Sequence, residues 1–289
     1  MNAPDLRDDA DSSSAKAESG GLQVSLQVKV CGLTDVSETR LAVELGADLI
    51  GLNFFPKSAR YLEPERAAEL VRAVEAGPGR KPTWVGVFVN EEIERAVHIA
   101  EEVGLDLLQF HGDETPEQLA PLAERSIKAL RVKGDVTPEL IDPWRDLGLW
   151  GLLIDARHET LYGGSGRRWN VESLPAALGV DGSRDSQSRD DQFRAGQNLR
   201  VLVAGGLEPS NVAEAARRAR PWGVDLCSGV ESSPGRKDAE LMRQLFAELG
   251  SEENSRSQYE DLQQNLRRDR QQAFSPNEEL PHGQTSPAA

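Results

Sequence analysis

One unit recurs through the middle of this chain of 289 residues: a short apolar, β-branched run, a polar turn, then a stretch with apolar residues at i, i+3, i+4 and i+7. The strand-like runs are Val28–Cys31, Leu49–Phe54, Trp84–Val89, Leu107–His111, Ile127–Val132, Gly151–Asp155, Leu199–Ala204 and Val224–Ser228. The clearest helical stretches are Pro64–Val74, Glu91–Val103, Pro116–Arg125 and Asn211–Ala219. Thr115-Pro116 and Glu208-Pro209 are expected to put a proline in the first turn of a helix. A sixth helix falls near Val171–Leu178, where the periodicity is weakest. Strands that alternate with helices pair in parallel through crossovers. Eight such units in a body of this length imply α/β architecture, a single closed (β/α)8 TIM barrel. An open doubly wound sheet would carry Gly-x-Gly-x-x-Gly after its first strand, and none stands there.

Composition sets the borders of that barrel. Residues 1–26, 181–198 and 251–289 are rich in Asp, Ser, Gln, Arg and Pro with few large apolar side chains. Segments of that kind bury too little surface to offset the entropy of ordering them. They are expected to be a disordered acidic N-terminal tail, a polar insertion and a disordered C-terminal tail around a catalytic body of residues 27–250. The net charge of −15 gives no basic face for a nucleic-acid backbone. No apolar stretch is long enough for a membrane span, and two cysteines make no disulfide framework, so a cytoplasmic setting is expected.

In a barrel of this kind the chemistry belongs to the C-terminal ends of the strands and the loops after them. Glycine-rich turns follow strands 6, 7 and 8: Gly163-Gly164-Ser165-Gly166, Gly205-Gly206 and Ser228-Gly229. Glycines let backbone amides approach an anion closely, and three such turns at adjacent strand ends form a cup for a phosphate group. Cys31 ends strand 1 and Asp155 ends strand 6. A thiol there is either a small core hydrophobe or a base, whereas a carboxylate after Leu152-Leu153-Ile154 is costly to bury idle. Together they suit a base and an acid facing across the mouth.

The motifs that carry these residues resemble those of the phosphoribosylanthranilate isomerases. Val28-Lys29-Val30-Cys31-Gly32-Leu33-Thr34 matches the opening strand, and Gly51-Leu52-Asn53-Phe54-Phe55-Pro56-Lys57-Ser58-Ala59-Arg60-Tyr61 the second. Val85-Gly86-Val87-Phe88-Val89-Asn90, Gln109-Phe110-His111-Gly112-Asp113-Glu114, Leu153-Ile154-Asp155, Gly163-Gly164-Ser165-Gly166, Ala204-Gly205-Gly206-Leu207 and Ser228-Gly229-Val230-Glu231 follow in family order. The resemblance implies an Amadori rearrangement of N-(5-phosphoribosyl)anthranilate in tryptophan biosynthesis, without metal or organic cofactor, by a monomer or homodimer. By the same resemblance Asp155 is the general acid that opens the furanose ring, and a raised carboxyl pKa is expected of it. Cys31 is the general base at ribose C2, and Lys29 beside it would help to ionise the thiol.

Arg60 matches the arginine that binds the anthranilate carboxylate, a bidentate task suited to guanidinium. His111 suits either the rim of the site or a hydrogen-bonded structural histidine. Asp225 would position the substrate amine or orient the phosphate loop. Gly164, Ser165, Gly166, Gly205, Gly206, Ser228 and Gly229 would hold the phosphate. Cys227 departs from the serine usual in the family. Strands 8 and 1 adjoin in a closed barrel, which brings Cys227 near Cys31, where a peroxide would be expected to cross-link them. The 181–198 insertion precedes strand 7, which puts it on the barrel face opposite the site.

Indole-glycerol-phosphate synthase, the nearest enzymatic alternative, would need catalytic lysines at the strand ends. The histidine-pathway ribosyl isomerase would show two aspartates and a half-barrel repeat. A phosphate-ligand sensor would need the cup but neither Cys31 nor Asp155.

Overall fold

The computed structural model describes residues 26–155, 173–177 and 199–250. Eight parallel strands close on themselves in sequence order: β1 (Gln27–Cys31), β2 (Leu49–Asn53), β3 (Thr83–Phe88), β4 (Leu107–Phe110), β5 (Ser126–Arg131), β6 (Gly151–Asp155), β7 (Arg200–Ala204) and β8 (Gly223–Leu226). β1 pairs with both β2 and β8, which completes the barrel expected from the eight repeats. The outer layer holds α1 (Val36–Leu45), α2 (Pro64–Glu75), α3 (Ile93–Val103), α4 (Pro116–Leu119), α5 (Pro138–Arg145), α6 (Ser173–Ala177), α7 (Val212–Ala219) and α8 (239–250).

Local chemistry explains where the helices begin. Asp35 caps α1 by accepting from the Ser37 and Glu38 amides. Thr115 and Gln118 form a reciprocal capping box with Pro116 at the first position of α4. That helix lasts one turn and tightens into a 3₁₀ segment, Ala120–Arg125, so the expected Pro116–Arg125 helix is two pieces. Pro209 does not enter a helix: it stands in the turn before α7, whose start is set by Glu208 accepting the Asn211 and Val212 amides. Of the expected sixth helix near Val171–Leu178, residues Ser173–Ala177 are described, and they are helical.

Side chains sort by strand alternation. Outward-pointing residues such as Val30, Ile50, Leu52, Phe88, Phe110, Ile154 and Val203 meet the helices in one core. Inward-pointing Leu49, Val85, Leu107, Ile127, Leu153 and Leu202 fill the lower barrel. Trp150 and Trp222 close its floor edge to face, 5.1 Å between centroids, with the Arg200 guanidinium 4.9 Å from the Trp150 ring. Above that apolar layer the inward positions turn polar: Lys29, Cys31, Gln109, Asp155 and Asp225, all buried. This change from apolar floor to polar mouth positions the site. The expected tails and the 181–198 insertion lie outside the described residues, apart from Leu26 at the first boundary. Among the described residues no helix is long and apolar enough to cross a membrane.

Candidate active site

Cys31 is the last residue of β1, one step above Lys29 on the same inward face once the alternation is counted. Opposite Cys31 in β2 stands Gly51. A Cβ on Gly51 would lie 2.7 Å from the Cys31 sulfur and 3.1 Å from Lys29 Nζ. Glycine there makes the space in which thiol and ammonium sit.

On the other side, Lys29 pairs in register with Asp225 of β8, and Val30 with Leu226, which brings Cys227 beside Cys31. Both cysteines are free thiols, Cys31 buried and Cys227 partly exposed. Lys29 Nζ donates to Asp225 Oδ1 at 2.8 Å in a wholly buried ion pair. Burial opposes charge on Lys29, but Asp225 and Cys31 more than offset it and hold the ammonium above its ordinary pKa. Cys31 is pulled down to about 6: the Cys227 thiol donates to its sulfur, burial resists, and Lys29 adds attraction. The Cys227 proton is held correspondingly more tightly, first by its bond to Cys31 and then by burial. The Cys227 bond and the Lys29 ammonium thus both favour the thiolate form of Cys31.

Asp155 ends β6 and is buried. Its Oδ2 lies 3.1 Å from Nε2 of His111, the residue just past β4. His111 Nδ1 in turn lies 3.2 Å from Nε2 of Gln109. His111 stands at the mouth and is hydrogen-bonded there, and its partner is the candidate acid. The loop that carries it is anchored by Glu114, which accepts from the Asn90 and Gly112 amides and from buried Lys128 Nζ at 2.7 Å.

Arg60, in the loop after β2, donates through Nε (2.7 Å) and Nη2 (2.5 Å) to the two oxygens of Glu231. Lys237 also donates to Glu231, at 2.9 Å, and to the Cys227 carbonyl. The Glu231 bonds keep the Arg60 guanidinium charged, against some burial. They also leave its outer edge, Nη1 and one Nη2 hydrogen, for a second carboxylate.

The loops after β7 and β8 lie against each other: a Cβ on Gly229 would collide with the Leu207 carbonyl. Gly205 and Gly206 both have positive φ, and among the described residues nothing lies within 4 Å of where a Gly206 Cβ would stand. On that side the described backbone leaves room for an approaching anion. Ser228 and Gly229 begin a short 3₁₀ turn, Ser228–Val230. Gly164, Ser165 and Gly166 lie outside the described residues.

The structure therefore brings Cys31, Asp155, His111, Arg60, Gly205, Gly206, Ser228 and Gly229 to one end of the barrel. Asp225 differs from the others: it sits inside, on Lys29, where a role toward a substrate amine would compete with the ion pair. Sequence reasoning missed Gln109, Glu231 and Lys237. Gln109 alone had a local signal, as a polar residue inside the apolar run Leu107-Leu108-Gln109-Phe110.

Comparison with known proteins gives a consistent result. Residues 28–248 match the family model for N-(5'-phosphoribosyl)anthranilate (PRA) isomerase. The Myxococcus xanthus N-(5'-phosphoribosyl)anthranilate isomerase is 43% identical over 223 residues, 76% of this chain and 94% of that one. The crystal structure of the phosphoribosyl anthranilate isomerase from Thermus thermophilus superposes with a TM-score of 0.62 at 33% identity, covering 78% of this chain and 99% of the other. A phosphoribosyl anthranilate isomerase in complex with reduced 1-(o-carboxyphenylamino)-1-deoxyribulose 5-phosphate gives a TM-score of 0.60 at 30% identity, covering 78% and 99%.

Proposed function

The chain belongs to the N-(5'-phosphoribosyl)anthranilate isomerase family, and we propose that its barrel mouth works with one base, Cys31, and one acid, Asp155, on a substrate held at both ends. The reaction is the isomerase step of tryptophan biosynthesis, the Amadori rearrangement of N-(5-phosphoribosyl)anthranilate to 1-(2-carboxyphenylamino)-1-deoxyribulose 5-phosphate. Asp155 gives its proton to the furanose ring oxygen as the C1–O bond breaks and the nitrogen lone pair forms the C=N bond. The Cys31 thiolate then takes the C2 proton. The C–H electrons become the C1–C2 double bond, the C=N pair returns to nitrogen, and the enolamine tautomerises to the ketone. The observation that carries this reading is a buried thiol set beside the Lys29 ammonium and Cys227, paired with a carboxyl backed by a histidine, at the ends of two non-adjacent strands of one mouth. The test is the loss of anthranilate fluorescence from freshly generated substrate. Turnover by the wild type and its near-absence in Cys31→Ala and Asp155→Asn supports both roles; turnover retained in either variant removes that residue from the chemistry.

Arg60 binds the substrate's anthranilate carboxylate through its outer edge while its inner edge stays on Glu231. Arg60→Lys keeps the charge but loses the fork. With about 1.5–3 kcal/mol for a hydrogen bond to a charged group, KM is expected to rise roughly 10- to 100-fold with kcat much less affected. Steady-state kinetics on the two proteins checks this; an unchanged KM removes Arg60 from the substrate.

The phosphate rests on the amides of the loops after β7 and β8, with Gly205, Gly206, Ser228 and Gly229 lining the cup; Gly164, Ser165 and Gly166 are assigned to the same phosphate on the sequence motif alone. Gly229→Ala forces its methyl into the Leu207 carbonyl, so the two loops must part. A displacement of about 1 Å at a binding group costs on the order of 10²-fold in rate. Both kcat/KM and inhibition by inorganic phosphate are expected to weaken together. Loss of one without the other would place the phosphate elsewhere. Asp225 is assigned to holding Lys29 beside the base, and the partner of this mouth is a small phosphorylated molecule, like the reduced ribulose 5-phosphate compound bound by the structural relative.

A further inference from the structure

Gln109 is 1% exposed, inside the barrel, directly above the apolar layer of Leu107, Ile127 and Leu153. Its Oε1 has no hydrogen-bond partner among the described residues. A buried carbonyl without a partner is destabilising, and methionine or leucine would fill the same space without that cost. The amide has one compensating contact, from Nε2 to His111 Nδ1 at 3.2 Å.

The orientation of the Gln109 amide sets which imidazole nitrogen carries the proton. With Nε2 on the His111 side, as it stands in the structure, Nδ1 accepts, and in the neutral ring the hydrogen is then on Nε2. Nε2–H points at Asp155 Oδ2, 3.1 Å away. With Oδ2 taken as acceptor, Oδ1 is the oxygen left for the substrate, and the one from which a general acid here would give its proton. When Oδ1 has given its proton up, the Nε2–H bond strengthens, because it is then made to an anion. The contact is stronger after the transfer than before it, which is the condition for lowering the barrier.

We infer that Gln109 is a positioning residue for the isomerisation, fixing the Nε2–H tautomer of His111 and through it the orientation of the Asp155 carboxyl. The inference rests on Asp155 being the general acid.

The experiment uses the full chain with Gln109→Met and Gln109→Glu beside the wild type, Asp155→Asn and His111→Asn. Gln109→Met removes the donor at nearly constant volume. Gln109→Glu puts an acceptor opposite Nδ1 and draws the proton to the wrong nitrogen. Expected for Gln109→Met is a fall in kcat of about tenfold, the low end of what positioning contributes, with KM within twofold and Tm unchanged or higher. Gln109→Glu should lose at least as much kcat. The imidazole nitrogen shifts should show His111 as the Nε2–H tautomer in the wild type and mixed or inverted in both variants. Four histidines make the spectrum assignable by difference with His111→Asn. A kcat within twofold of wild type in Gln109→Met overturns the inference, as does a loss of kcat together with Tm while the His111 tautomer stays put. Full activity in Asp155→Asn would instead overturn the acid assignment on which it stands.

Discussion

Cys31→Ala is expected to lower kcat by about 10²- to 10⁴-fold, the usual contribution of a positioned general base, while KM and Tm change little. The side chain removed is small, and the cavity it leaves is bounded by Gly51, Lys29 and Cys227. Cys31→Ser should not restore the rate, because an alcohol in the same place stays protonated where the thiol is ionised. The pH profile gives the sharper check. The active form is the thiolate, so wild-type kcat/KM should fall as pH drops through about 6, where Cys31 takes up its proton. In Cys31→Ala the residual rate should have no such limb. Pairing Cys31→Ala with Asp155→Asn should cost little more than either alone, since acid and base serve one proton relocation. A profile whose acidic limb survives in Cys31→Ala would assign the limb, and the base, to another group.

How much of this was legible in the sequence depends on the range of the interaction. The strands and most helices follow from patterns within about a dozen residues, and all eight strands lie where the β-branched runs stand. The runs overshoot at their C-terminal ends: Phe54, Val89, His111, Val132, Cys227 and Ser228 lie past the strands. There the chain turns off the sheet to build the mouth, and an apolar residue can continue the run without continuing the ladder. Proline gave the right start for α2 and α4 but misled at Pro209, because the Glu208 carbonyl, accepting the Asn211 and Val212 amides, sets the start of α7 beyond the proline. Cys31 and Asp155 were visible as unusual residues at strand ends. Their supporting partners were not: Asp225 on Lys29, Glu231 on Arg60 and His111 on Asp155 join residues separated by 196, 171 and 44 positions. No local pattern encodes such pairs. They follow from barrel closure, which sets β8 beside β1 and aims inward side chains at one another.

Lys29→Met carries the largest expected loss of stability, because it strands a carboxylate. Asp225 is nearly buried, and its Oδ1 bonds to the Lys29 ammonium. Removing one partner of a buried ion pair costs about 3–5 kcal/mol, since the other is left charged and uncompensated or must take up a proton. For a body of this size, at about 2–4 °C per kcal/mol, Tm should fall by roughly 10 °C. The double variant Lys29→Met/Asp225→Leu should recover most of that, because packed apolar side chains replace buried ion pairs at little cost. What it should not recover is the base. Lys29 also attracts the Cys31 thiolate, so without it the thiol's pKa rises and the acidic limb of kcat/KM moves to higher pH. A double variant as stable as the wild type but shifted in its pH profile would separate the two roles of one lysine, a counter-ion for Asp225 and a charge beside the base. If Lys29→Met melts within a degree of the wild type, the pair contributes nothing to stability. If the limb stays put in the double variant, the lost attraction of Lys29 is balanced by the lost repulsion of Asp225, and the Cys227 bond with Lys237 keeps Cys31 ionised.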